Sequence, residues 1–265
     1  MRIDMKDMYC EIGEDKVAVL YFNRPPLNLF TLEVFSEFSE MYSKLEAKVM
    51  ADEVRALVLA SSLEKAFSAG DDVKEGPQNS DEAIVENEIA RNCMTKMNNF
   101  IAPVVAVIDG YAMGGGYVLA ATADYIVASD KSKYGFGEID FAMPCNWGST
   151  LLLASSYPLP QCKHLLMSGE RFGADTALEL NLVQKVLPSS EVMEEGLRIA
   201  RMYAAKAPIA VRAIKLLLNT SAGGINEQGH LALENNLTRL TFDSEDCVEG
   251  VNAFREKREP VWKNR

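Results

Sequence analysis

A chain of 265 residues that is 48% hydrophobic and 25% charged has enough apolar material for one sizeable core, and its net charge of −11 argues against nucleic acid as a partner, since phosphate binding wants a basic surface. The five cysteines (10, 93, 145, 162 and 247) are scattered and lack CxxC spacing, so neither a disulfide framework nor a metal site is expected. With no signal-like N-terminus and no apolar run near the roughly 20 residues that span a bilayer, the expectation is a cytoplasmic protein that makes no membrane contact.

In chain order, residues 16–22 (KVAVLYF) read as a buried strand, and 31–50 as an amphipathic helix. That helix carries Phe35, Phe38, Tyr42, Leu45 and Val49 on one face and has Thr31 as its N-cap. Residues 54–61 give a second strand, 75–83 an exposed loop, and 81–100 a helix with less regular spacing. Strands follow at 103–110 and 124–130, so the first two-thirds alternate between β and α. Beyond residue 190 the pattern is helical: 190–207, 208–219 with Pro208 in the first turn, 226–242, and 244–259 with Ser244 as N-cap. Residues 220–224 (TSAGG) read as the linker among these helices, and the expected division is a core at 1–190 with a helical region at 191–265.

Two turns carry the chemistry. In DGYAMGGGYVLAATADY (109–125), Gly114, Gly115 and Gly116 sit between a strand and a helix. Glycine lets a backbone approach a ligand closely, and a helix N-terminus offers free N–H groups to an oxyanion. Close packing alone would also explain three glycines. A second strand-end turn, KAFSAGDDVKE (65–75), offers further N–H groups that could face the same carbonyl oxygen.

Together with FNRPPLNLF near the N-terminus, residues 165–188 and residues 242–262, these segments resemble in order the enoyl-CoA hydratase/isomerase (crotonase) family. The resemblance implies an α/β fold, a crotonase-like spiral of ββα units followed by a C-terminal helical region acting as lid and oligomer contact. It implies that the backbone N–H groups of Asp71 and Gly115 form an oxyanion hole for the thioester carbonyl of an acyl-CoA. Where this chain has Asp71, most relatives have a small or apolar residue; an ionised side chain there would oppose an enolate unless it points away. Family hydratases hold a water between two glutamates. The first position is Val118 here, and the second is Glu138, in KYGFGEIDFAMP. A valine cannot exchange a proton. One carboxylate suffices to move a proton between two carbons, so the pattern is closest to the family's Δ3,Δ2-enoyl-CoA isomerases. A glutamate capping a turn is the structural alternative.

Asp140 shares a face with Glu138 if that stretch is extended, which leaves a relocated acid pair open. Phe136, Phe141, Met143 and Trp147 are candidates for the apolar surroundings of Glu138, and Asp140, Cys145, Asn146 and Trp147 for the acyl pocket. For CoA, the resemblance implies Pro26, Leu27 and Leu29, with Ala69, Asp72 and Val73 near adenine; Gly114, Val118 and Phe141 are further candidates for binding the substrate. Lys74, Lys257 and Arg258 are phosphate candidates, Arg24 a weaker one; a solvated surface charge is the alternative for each. Asn181 replaces a common family glycine at a helix C′ position, where asparagine tolerates the left-handed conformation. No cofactor is implied beyond the CoA of the substrate, and the expected assembly is a homotrimer or a dimer of trimers. Hydration of an unusual thioester such as a cyclic dienoyl-CoA, decarboxylation, thioester hydrolysis, and a catalytically silent acyl-CoA-binding subunit are the competing readings.

Overall fold

Two sheets and their covering helices follow from the alternating pattern. The computed structural model describes residues 1–224 and 226–265. The chain opens with strands β1 (Arg2–Asp4), β2 (Met8–Ile12) and β3 (Val17–Phe22), which pair antiparallel in sequence order. Helix α1 (Leu32–Met50) follows, with Thr31 accepting a bond from the Val34 N–H; all five of its expected apolar residues are buried.

Three repeats come next, each placing one strand in a large sheet and a short one in a small sheet. The first is β4 (Ala56–Ser61) and β5 (Ala66–Ser68) with helix α2 (Ser80–Asn98). The second is β6 (Val104–Ile108) and β7 (Tyr111–Met113) with α3 (Gly115–Ala120). The third is β8 (Tyr125–Ser129) and β9 (Lys133–Gly135), a 3₁₀ turn at Gly137–Phe141, then α4 (Ser149–Ser156) and α5 (Leu159–Ser168). Strand β10 (Phe172–Gly173), α6 (Ala174–Glu179) and β11 (Lys185–Leu187) close the unit. The large sheet runs β1-β2-β3-β4-β6-β8-β11, parallel from β3 onward, and the small one β10-β9-β7-β5. Parallel strands buried on both faces read as continuous apolar runs, which is why VVAVI of β6 carries no alternation.

The main core lies on the face of the large sheet toward α1 and α2, with Phe22, Phe35, Phe38 and Leu59 among its members. The other face packs Val58, Val105 and Val107 against Ile199 and Ala200 of α7 (Val192–Ala204). A methyl at Gly196 would collide with Val107, so α7 approaches the sheet closely. Helices α8 (Pro208–Ala222), α9 (Glu227–Phe242) and α10 (Glu245–Glu256) complete the chain. Ser244 caps α10, accepting from the Cys247 N–H, and Pro208 opens α8. The expected linker at 220 begins later, because α8 continues through Ala222. Asn181 takes φ +56° just past α6, as its C′ position requires. Among the described residues no helix is long and apolar enough to cross a membrane.

Candidate active site

The glycine run is built by a change of direction at the end of β7. Gly114 has φ +48° and ψ −122°, a region open only to glycine, and it serves as N-cap of α3. The helix begins at Gly115 itself and lasts six residues, all buried. Two collisions show how tightly the first turn is held. A methyl on Gly116 would strike the Ser68 carbonyl, and one on Gly115 would fall inside the Trp147 indole ring.

The second turn meets the first directly. Gly70 (φ +87°) lies so close that a methyl on it would stand 2.9 Å from the Met113 oxygen and 3.4 Å from the Gly115 nitrogen. Asp71 forms a lone parallel bridge with Phe30. In it the Phe30 N–H donates to Gly70 O at 2.8 Å and the Asp72 N–H donates to Phe30 O at 3.0 Å. The Asp71 N–H takes no part in that pair. Among the described residues, neither it nor the Gly115 N–H has a protein acceptor.

Asn28 braces this arrangement from beneath. It is buried at φ +52°, and its side-chain NH₂ donates to Ser61 Oγ and to the carbonyls of Ala66 and Phe67. Its own carbonyl accepts from Ser68 Oγ at 2.7 Å.

Glu138 stands over the glycine run. A methyl on Gly114 would come 2.5 Å from Glu138 Oε1, so the carboxylate occupies the space that glycine leaves open. Its Oε2 is buried without a hydrogen-bond partner. Burial raises the Glu138 pKa above the ordinary carboxylate range, while a backbone N–H and then the neighbouring Cys145 thiol pull the other way. Burial first, then the Glu138 charge, pushes that thiol up to about 12, so Cys145 stays protonated and is no nucleophile.

Trp147 lies against Gly115, 7% exposed, with edge-on contacts to Phe30 (5.7 Å) and Phe35 (5.1 Å). Its backbone N–H donates to Asn87 Oδ1 at 2.7 Å. One residue before Asn87, on α2, Glu86 is buried. Burial and then the Glu86 charge raise the Asp71 pKa to about 7, and burial raises that of Glu86.

Of the other expected residues, Phe136 is buried, whereas Phe141 (59% exposed) and Met143 face outward. Residues 137–141 form a 3₁₀ turn, not an extended stretch, and Asp140 is exposed; Glu138 and Asp140 therefore share no face. Val118 is 2% exposed and belongs to the main core. Leu27 and Leu29 are half-buried, Pro26 is exposed, and the Ala69 N–H donates to Leu27 O at 3.0 Å, joining two of the segments expected to meet CoA. Val73 and Lys74 are exposed. Asp72 pairs with Arg24, whose guanidinium is divided among Asp7, Asp72 and Glu75, so Arg24 has little charge to offer a phosphate. Arg258 is likewise held by Glu249 and Glu256, and Lys257 ends α10 at φ +53°.

Sequence reasoning missed Glu86, Asn87 and the bracing by Asn28. A signal for Glu86 existed: it is in register with Ala90, Cys93 and Met97 on the buried stripe of α2, where a glutamate is out of place.

The enoyl-CoA hydratase/isomerase family model matches residues 13–265. The chain belongs to the enoyl-CoA hydratase/isomerase family. Carnitinyl-CoA dehydratase of Escherichia coli K12 is 29% identical over 252 residues, covering 94% of this chain and 95% of that protein. Among solved structures, the enoyl-CoA hydratase of Bacillus anthracis superimposes with a TM-score of 0.92 at 27% identity, covering 98% of this chain and 100% of that one. The enoyl-CoA hydratase of Mycobacterium smegmatis gives 0.89 at 26% identity, covering 97% and 99%. Membership makes this an acyl-CoA-processing enzyme of the crotonase fold.

Proposed function

We propose that the chain shifts the double bond of an enoyl-CoA from the 3- to the 2-position, with Glu138 as its single acid/base. Glu138 removes a proton from C2 of the 3-enoyl thioester, and the electron pair moves onto the thioester oxygen as a dienolate. The Asp71 and Gly115 N–H groups donate to that oxygen; losing one such donor typically costs about 3–4 kcal/mol of transition-state stabilisation. Glu138 returns its proton to C4, which leaves the 2,3 double bond in conjugation and the carboxylate restored.

The observation that carries this reading is the placement of one buried carboxylate, with a free oxygen, on the Gly114–Gly115 turn, while Val118 sits in apolar packing. A carboxylate of raised pKa is a stronger base at the moment it must take a carbon acid's proton. The sign for pH follows: the base form is lost on acidification, so kcat/KM falls as pH drops through a value above the ordinary 4.5 of glutamate.

Leu27, Leu29 and Ala69 are proposed to meet the CoA arm, with Lys74 and Lys257 as phosphate partners, and no cofactor is required. A trimer or dimer of trimers is proposed with this activity; the support is exposed apolar surface on α8–α10, including Leu218, Phe242 and Phe254.

The test follows a 3-enoyl-CoA by absorbance of the conjugated thioester and by mass, with Glu138→Gln beside it. Conversion at constant mass, reduced at least about a hundredfold in the variant, is the expected result. Gain of water by a 2-enoyl- or cyclic dienoyl-CoA, without isomerisation, would replace this reading with hydration.

A further inference from the structure

One buried hydroxyl ties the donor turn of Asp71 to the loop that precedes α1. Ser68, the last residue of β5, is wholly buried. Its Oγ donates to the Asn28 carbonyl at 2.7 Å and accepts from the Gly70 N–H at 3.2 Å. Among the described residues the Gly70 N–H has no other acceptor and the Asn28 carbonyl no other donor. The Ser68 carbonyl, in turn, lies where a side chain on Gly116 would stand. Ser68 is therefore bonded into the first donor turn and packed against the second.

The direction of the Asp71 N–H is set by two peptide planes that meet at Gly70. In a trans peptide the N–H points opposite to the C=O, so a bond that fixes the Gly70 carbonyl also fixes the Asp71 N–H. The Phe30 N–H makes that bond at 2.8 Å. The preceding plane carries the Gly70 N–H, and Ser68 Oγ holds it. Gly70 stands at φ +87°, and glycine has a wider choice of dihedrals than any other residue, so covalent geometry alone does not fix the angle between the planes. A stiffer residue has no room there, because its methyl would come 2.9 Å from the Met113 carbonyl oxygen. The angle depends on the two hydrogen bonds, and only the one from Ser68 uses a side chain. The far end of that bond is itself anchored. Asn28 Oδ1 accepts from the Arg24 N–H at 2.8 Å, and its Nδ2 donates to Ser61 Oγ and to the Ala66 and Phe67 carbonyls.

We infer that the Ser68 hydroxyl is what aims the Asp71 N–H at the thioester oxygen, which makes Ser68 a positioning residue of the oxyanion hole. It acts through Gly70 and touches no reacting atom. The inference rests on the proposed role of the Asp71 N–H as oxyanion donor. Without the hydroxyl, the Gly70 N–H and the Asn28 carbonyl lose their partner, and the turn relaxes to find others. The Asp71 N–H then swings off the line to the oxygen. A misaimed donor matters most when the oxygen carries full charge, so the loss falls on kcat and little on KM.

The experiment compares the full-length protein with Ser68→Ala and Ser68→Cys. Butanoyl-CoA labelled with carbon-13 at the thioester carbonyl is the probe, its infrared carbonyl band reporting how strongly the donors polarise the bond. Calorimetry gives its affinity, and kcat and KM are measured on a 3-enoyl-CoA. Binding to the unchanged protein should move the band to lower frequency. In Ser68→Ala the band should return toward its position in free solution, and kcat should fall about tenfold or more with KM within about twofold. Ser68→Cys, whose thiol is a weak donor and acceptor, should lie between the two. A band and kcat in Ser68→Ala equal to those of the unchanged protein overturn the inference. So does an unmoved band accompanied by a common loss of affinity and kcat, the mark of general loosening. If Ser68→Ala does not fold, Ser68→Cys decides, and an unmoved band there is equally fatal. No shift on binding to the unchanged protein would remove the donor role itself and the inference with it. If the band responds to Ser68 but no 3-enoyl-CoA is turned over, only the isomerase reading fails.

Discussion

Gly115→Ala isolates the contact that shapes the donor turn. Gly115 has an ordinary helical backbone, so alanine meets no conformational barrier there, and in an exposed helix it would gain about 0.5–1 kcal/mol. The new methyl instead falls among the Cζ3, Cη2 and Cε3 atoms of Trp147, forcing the indole away from Phe30 and Phe35. Overpacking of this kind costs about 1–3 kcal/mol. Trp147→Ala alone removes a nearly buried ring and costs about 3–5 kcal/mol. In the double variant the methyl has room, so the second substitution should cost nothing beyond the loss of the ring. Urea unfolding of the four proteins, with unchanged m-values, should therefore give a coupling of about 2 kcal/mol, the pair being less destabilised than the sum of the singles. Additivity within about 0.5 kcal/mol would show that Trp147 does not rest on Gly115, and the description of the donor turn would be wrong.

Gly114→Ala puts a methyl at φ +48° and 2.5 Å from Glu138 Oε1; turnover of a 3-enoyl-CoA should fall about a hundredfold, with the far-ultraviolet circular dichroism unchanged. Lys215→Met tests the fastening of α8 to the sheet. Lys215 is buried, and donates to Asp124 Oδ2 at 2.7 Å and to the Ala102 carbonyl at 3.1 Å. Removing it leaves Asp124 with the Val104 N–H alone, and urea unfolding should show a loss of about 3 kcal/mol.

The fold was legible wherever one period ran long enough. The α1 stripe of Phe35, Phe38, Tyr42, Leu45 and Val49 is buried throughout, and the four expected strands lie within a residue or two of β3, β4, β6 and β8. The short strands were not legible. Strands β5, β7 and β9 have three residues each, too few to display alternation, and β7 ends in the same glycines that announce the turn. Glu138 could be placed beside the glycine run only through the family resemblance. Whether Asp140 would share its face depended on an extended stretch that local sequence could not decide, and residues 137–141 instead form a 3₁₀ turn that ends at Ala142, φ +57°. Glu86 escaped notice because helical spacing tells which face a residue occupies, not which residues it will meet there.

The absence of an acid at position 118 has a structural consequence. Val118 lies in the first turns of a short helix whose six residues are all buried, packed in the same core as Tyr117 and Leu119. A carboxylate there would need a partner, and a water held by two glutamates supplies one in a hydratase. Without that water the space is worth more filled with hydrocarbon, since burying apolar area stabilises by roughly 25 cal/mol per Å² whereas an unpaired buried charge costs several kcal/mol. Val118 therefore fits the proposed reaction, in which one carboxylate moves the proton. In the proposed reaction that leaves Glu138 as the carboxylate beside the donor turn.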